Sequence, residues 1–122
     1  KKAGGAENMP FINAKVSVPI SQEQEKQLKE KLGQVIAVIP GKSEQWLMTG
    51  FQDNYHLYFR GDNSQPAAFI EVQIYGNSNP SAFDQLTGEI TKILNDILKI
   101  APDHIYIKYS TTSDWGWNGS NF

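Results

Sequence analysis

Phe11-Ile12-Asn13-Ala14-Lys15-Val16-Ser17-Val18-Pro19-Ile20-Ser21 sets the architecture of this chain, because the strand that gives way here to a capped helix has a counterpart in the second half. Residues 11–18 alternate and stop at Pro19, a residue that cannot donate to a ladder. Ser21 then stands as an N-cap, with Gln24 at the reciprocal position of a capping box. Leu28, Leu32, Val35, Ile36 and Ile39 recur at helical spacing behind a charged front of Glu23, Glu25, Lys26, Lys29, Glu30 and Lys31. Pro40-Gly41 stops this helix. Residues 46–51 predict a second strand, followed by a turn at Asp53-Asn54 and a short strand over 56–59.

The second half opens on residues 67–75, whose continuous apolar start predicts a strand covered on both faces. Asn79-Pro80 supplies a cap and a first-turn proline. Phe83, Leu86, Ile90, Ile93, Leu94, Ile97 and Leu98 form the apolar stripe of a second helix, ended by Ala101-Pro102-Asp103. Residues 105–109 alternate as the last long strand, and Asn118-Gly119 is a strong turn signal.

Strand, capped helix, proline-marked stop and strand therefore occur twice, the pattern of a duplicated βαβ unit. Right-handed crossovers give an α+β (α/β) domain with a four-stranded mixed sheet and two antiparallel helices on one face. Phe69, Ile70, Val72 and Ile74 look too apolar for a sheet with an open second face, so oligomerisation is expected to cover it.

With 122 residues, 39% of them hydrophobic, one domain is expected. Residues 1–8 are small, polar and unpatterned and read as a cloning scar, leaving 9–122 as the domain. The net charge of −2 includes +1 from that segment, and no basic stripe exists to neutralise phosphates, which argues against nucleic acid. The absence of cysteine excludes disulfides and thiolate chemistry. His56 and His104 do not have metal-ligand spacing, so no metal is expected. No apolar run has the length of a membrane span and no leader precedes the domain. A cytoplasmic protein is the expectation, compatible with leaderless secretion.

Met9-Pro10 is where chemistry enters. Removal of Met before a small residue would leave Pro10 as the first residue, with a free secondary amine. Such an amine is mostly protonated near neutral pH in water. An apolar pocket and a neighbouring cation both disfavour the charged form and poise the group as a general base. A proline at the start of an edge strand is the plainer reading of the same residues.

Met9-Pro10, Gly41-Lys42, the strand end Tyr75-Gly76, the run Pro102-Asp103-His104-Ile105-Tyr106-Ile107 and the closing Gly116-Trp117-Asn118-Gly119-Ser120-Asn121-Phe122 together resemble the macrophage migration inhibitory factor and D-dopachrome tautomerase family. The match runs from Met9 to the last residue. It implies a homotrimer with an active site at each subunit interface, into which residues 56–59 and the C-terminal tail extend as added strands. It implies a keto–enol tautomerase for phenylpyruvate-like or related conjugated keto acids, needing neither metal nor organic cofactor. The alternative is a cytokine-like protein-binding module on the same trimer, its receptor unknown.

The resemblance implies Pro10 as the catalytic base. Lys42, by its residues alone a cation for the C-terminal end of the first helix, would lower the Pro10 pKa and bind a substrate oxygen. Tyr106 would come from the adjacent subunit, and Tyr75 would offer its backbone amide. Phe11, Trp46, Trp115, Trp117 and Phe122 would form an aromatic wall for a flat substrate. Lys108 stands where animal members have asparagine, from which a preference for acidic substrates is expected. Phe59-Arg60-Gly61-Asp62 replaces the family's Phe-Gly-Gly loop, and Ala67-Ala68-Phe69-Ile70 replaces the cytokine's Cys-x-x-Cys. With Met9 still attached, the Pro10 nitrogen is an amide and activity is expected to be impaired.

Overall fold

A computed structural model describes residues 9–121. Residues 1–8, read above as a scar, and Phe122, read as part of the aromatic wall, lie outside them. The chain runs β1 (Pro10–Val16), α1 (Gln22–Val35), β2 (Met48–Gln52), β3 (Ala68–Tyr75), α2 (Pro80–Leu98), β4 (Ile105–Thr112), β5 (Gly116–Trp117) and β6 (Ser120–Asn121). The main sheet has the order β2-β1-β3-β4. Its outer pairs are parallel and its central pair β1·β3 is antiparallel, as two βαβ units side by side require.

Both helices begin where their caps dictate. The Ser21 side chain accepts from the Gln24 amide while the Gln24 side chain accepts from the Ser21 amide. Asn79 Oδ1 accepts from the Ala82 amide, and Pro80 occupies the first turn. α2 ends at Leu98, short of the expected Ala101-Pro102-Asp103. Lys99 adopts a left-handed conformation at φ 60°, and its amide returns to the last carbonyls, Asn95 O and Leu94 O.

The core lies between the helices and one face of the sheet. Ile12, Val16, Ile70, Val72 and Ile74 from the strands meet Leu28, Leu32 and Ile36, together with Leu86, Ile90 and Leu94. Each fully buried aliphatic side chain among them contributes roughly 1.5–3 kcal/mol relative to exposure.

The sheet departs from the sequence reading in four places. β3 alternates, so Ile70, Val72 and Ile74 are covered by this chain's own helices, while Phe69, Glu71 and Gln73 turn to the other face. Of the apolar residues on which the expectation of a twice-covered strand rested, Ile70, Val72 and Ile74 are taken up by the core and Phe69 lies on the other face. The middle of the second face is polar. Asn13 Nδ2 donates to Gln52 Oε1 at 3.0 Å and to Glu71 Oε1 at 3.1 Å, and Lys15 pairs with Glu71 at 3.4 Å.

Trp46 is not in β2 but in a 3-10 turn, Glu44–Trp46, and pairing begins only where Met48 meets Phe11. The Glu44 side chain lies over Gly33 of α1, where a Cβ would stand 2.5 Å from its carboxyl carbon.

Residues 56–59 form no strand within the chain. Phe59 instead bridges to Asp62. β4 runs past the expected Tyr109 to Thr112. The tail folds on itself as the β5–β6 hairpin through Asn118 (φ 53°) and Gly119 (φ 91°), the two left-handed positions that an Asn-Gly turn supplies.

Candidate active site

β1 delivers Pro10 to a cavity of about 620 Å³, within the usual range for small-ligand sites. Pro10, Phe11, Trp46, Trp115 and Trp117 all line it. Trp46 and Trp117 meet edge to face, with centroids 5.2 Å apart at 90°. The 3-10 turn supplies one ring and the terminal hairpin the other.

Lys42 lies just after the turn that ends the first helical segment. Its amide donates to Ile39 O, while its ammonium reaches the far end of β3 and donates to Tyr75 O at 3.0 Å. The residue before Tyr75, Ile74, is the register partner of Pro10. Lys42 and Tyr75 are therefore brought together one residue from Pro10. The ammonium is directed to the end of β3.

Met9 is buried at 5% exposure and also lines the cavity, and its carbonyl accepts the Tyr75 amide at 3.3 Å. The main-chain amide expected to serve a substrate thus donates to the residue that processing would remove.

Tyr106 and Lys108 lie elsewhere within the chain. Tyr106 is in register with Phe69, and Phe69 with Lys15, five positions along β1 from Pro10. At ~3.4 Å per residue this is on the order of 17 Å along the strands. Lys108 is in register with Glu71. The Asn13 hydrogen bond, and then the charges of Lys15 and Lys108, hold the Glu71 carboxyl below the usual glutamate range.

Sequence reasoning did not select Gln45, Leu47, Met48, Gln73 and Gly116 as cavity residues. Gln73 and Met48 could have been found from alternation: each is the register partner of Phe11, one on each side, and all three share a face. Gln45 could not, because it belongs to a turn whose geometry depends on packing against α1.

Among the described residues no group of three or more His, Cys, Asp or Glu side chains could hold a metal ion, and no helix is long and apolar enough to cross a membrane.

Paired βαβ units with an aromatic cavity at the start of the first strand define a MIF-type tautomerase fold. The model of the macrophage migration inhibitory factor (MIF) family matches residues 9–122, and the chain belongs to that family. It is 31% identical to the macrophage migration inhibitory factor of Meriones unguiculatus over 116 residues, covering 93% of this chain and 99% of that protein. The crystal structure of Leishmania major MIF2 superposes with a TM-score of 0.87 at 32% identity, covering 94% of this chain and 98% of the other. The homologue from Prochlorococcus marinus superposes with a TM-score of 0.82 at 30% identity, over 92% and 98%. This membership supports a MIF-like role, either tautomerase or cytokine-like.

Proposed function

We propose that this chain, once Met9 is removed, is a cofactor-independent keto–enol tautomerase of phenylpyruvate-like or related conjugated keto acids, working as a homotrimer. The observation that carries the proposal is the Lys42 ammonium on the Tyr75 carbonyl, one residue from the strand partner of Pro10, beside an aromatic cavity that Pro10 itself lines.

The Pro10 amine takes a proton from an enol hydroxyl, or from the carbon beside a ketone, and returns it at the other end of the conjugated system. The apolar rings around it and the Lys42 charge both disfavour protonation of that amine, which keeps it a base. Lys42 also stabilises the oxyanion between the two proton transfers. Loss of Met9 removes the carbonyl to which the Tyr75 amide donates, and a substrate oxygen can take its place. The edge-to-face pair Trp46–Trp117 offers flat surface to a conjugated substrate.

Tyr106 enters from a neighbouring copy, where its hydroxyl donates to a substrate oxygen. Its separation from Pro10 within one chain supports this, since no side-chain rotation spans five register positions. Lys108 arrives with it as a second cation for a substrate carboxylate, tempered by Glu71.

The test is to prepare the chain starting at Pro10, verify its mass, and follow enol–keto conversion of an aromatic pyruvate. The comparisons are Pro10→Gly and the chain that retains Met9. Activity confined to the Pro10-first protein is the expected result. Equal rates in all three would reject the mechanism and favour the protein-binding role.

A further inference from the structure

We infer that Phe59 is a positioning residue for Tyr106, held for that purpose by Arg60; this rests on the proposed role of Tyr106. Tyr106 is 60% exposed on β4, and a tyrosine so placed would swing between rotamers unless something met its ring. Phe59 meets it edge to face, with centroids 5.6 Å apart at 89°.

Phe59 is itself restrained on several sides. Its ring lies 5.0 Å from that of His104, and the Arg60 guanidinium carbon stands 4.8 Å from its centroid. Its backbone is closed into a tight turn: the Phe59 amide donates to Asp62 O at 2.9 Å and the Asp62 amide to Phe59 O at 3.0 Å. Arg60 and Gly61 between them both have left-handed backbones, at φ 56° and 74°. Asp62 is anchored in turn by the Ser64 amide at 3.1 Å and hydroxyl at 2.6 Å.

A left-handed position is one that glycine or asparagine occupies with little cost and arginine does not. The contact of its guanidinium with the Phe59 ring offsets that cost and gives the residue a use. Residues 59–64 thus form a self-closed unit outside the sheet that presents one ring to Tyr106.

The experiment uses the chain starting at Pro10. Phe59→Leu is expected to lower kcat about tenfold with KM changed less than about twofold, the pattern of a displaced oxyanion donor. Arg60→Ala is expected to give a smaller loss of about threefold, with Arg60→Lys restoring the rate because it keeps the cation. In a Tyr106→Phe background, Phe59→Leu is expected to cost nothing further, since its effect passes through the missing hydroxyl. Independent losses that multiply in the double variant would overturn the inference.

A readout without turnover separates this inference from the proposed activity. NMR scalar couplings are expected to report one Tyr106 χ1 rotamer in the parent and averaging in Phe59→Leu. Should the Pro10-first chain prove no faster than Pro10→Gly, the couplings alone decide: averaging upholds the positioning role, and an unchanged rotamer overturns it.

Discussion

The Lys42 ammonium donates to the Tyr75 carbonyl at 3.0 Å, joining the segment after α1 to the end of β3 beside Pro10. That hydrogen bond fixes where the charge stands. Lys42→Gln keeps a donor of reduced length and removes the charge. It is expected to lower kcat/KM of the Pro10-first chain about 100-fold, within the range for charge and proton-transfer groups. The acid limb of its pH–rate profile is expected to move to higher pH, because the Pro10 amine loses a neighbouring cation. A pH series of initial rates checks both.

Tyr109 tests the second helix. Its hydroxyl donates to Phe83 O at 2.9 Å and lies 2.8 Å from Thr87 Oγ1, while its ring stacks on Phe83 with centroids 4.5 Å apart at 8°. Burial pushes the phenol pKa above its ordinary value. Tyr109→Phe keeps the stack and removes both hydrogen bonds of the hydroxyl, to Phe83 O and Thr87 Oγ1. A loss of about 1–3 kcal/mol is expected in urea unfolding.

Glu71 contributes to the acid limb of stability. Its carboxyl is held low first by the Asn13 hydrogen bond and then by Lys15 and Lys108. A folded-state pKa below the unfolded value means that the stabilisation is present above the unfolded pKa and is lost as pH falls through the folded one. The partners are partly exposed, so the contribution is about 0–1 kcal/mol. Thermal melts are expected to fall below about pH 4 in the parent and to fall less steeply in Glu71→Gln. Identical acid limbs would refute the assignment.

The terminal hairpin tests the cavity wall. Gly119 has φ 91°, so Gly119→Val forces a β-branched residue into a left-handed turn. The hairpin is expected to open and carry Trp117 away from Trp46. Tryptophan fluorescence is expected to shift to longer wavelength, and KM for an aromatic keto acid to rise several-fold, with the sheet intact by far-UV circular dichroism.

Local signals were the legible part of this chain. Ser21 with Gln24, Asn79 with Pro80 and Asn118-Gly119 each fix backbone geometry through their own side chains or dihedral preferences, and each stands in the structure where the sequence puts it. Trp46 was misread because nothing in 46–51 reveals that Glu44 lies over Gly33 and starts a turn. The apolar run of β3 concealed its period for a related reason. Phe69 beside Ile70 hid the alternation that Glu71 and Gln73 continue.

For the site, the Met9-Pro10 pair and the family resemblance marked Pro10, Phe11, Trp46, Trp115 and Trp117, and all five line one cavity. Gln45 and Gln73 carry no such mark. Their presence there depends on register and packing between segments distant in sequence.

The polar belt of Asn13, Lys15, Gln52 and Glu71 leaves a lone subunit with wettable material across the middle of its outward side. In the proposed trimer such a subunit can finish folding before it meets another, since water serves those groups until a neighbour arrives. Joining copies then becomes an encounter between completed parts, and the slow step in recovering a working particle should depend on how many such parts share the volume.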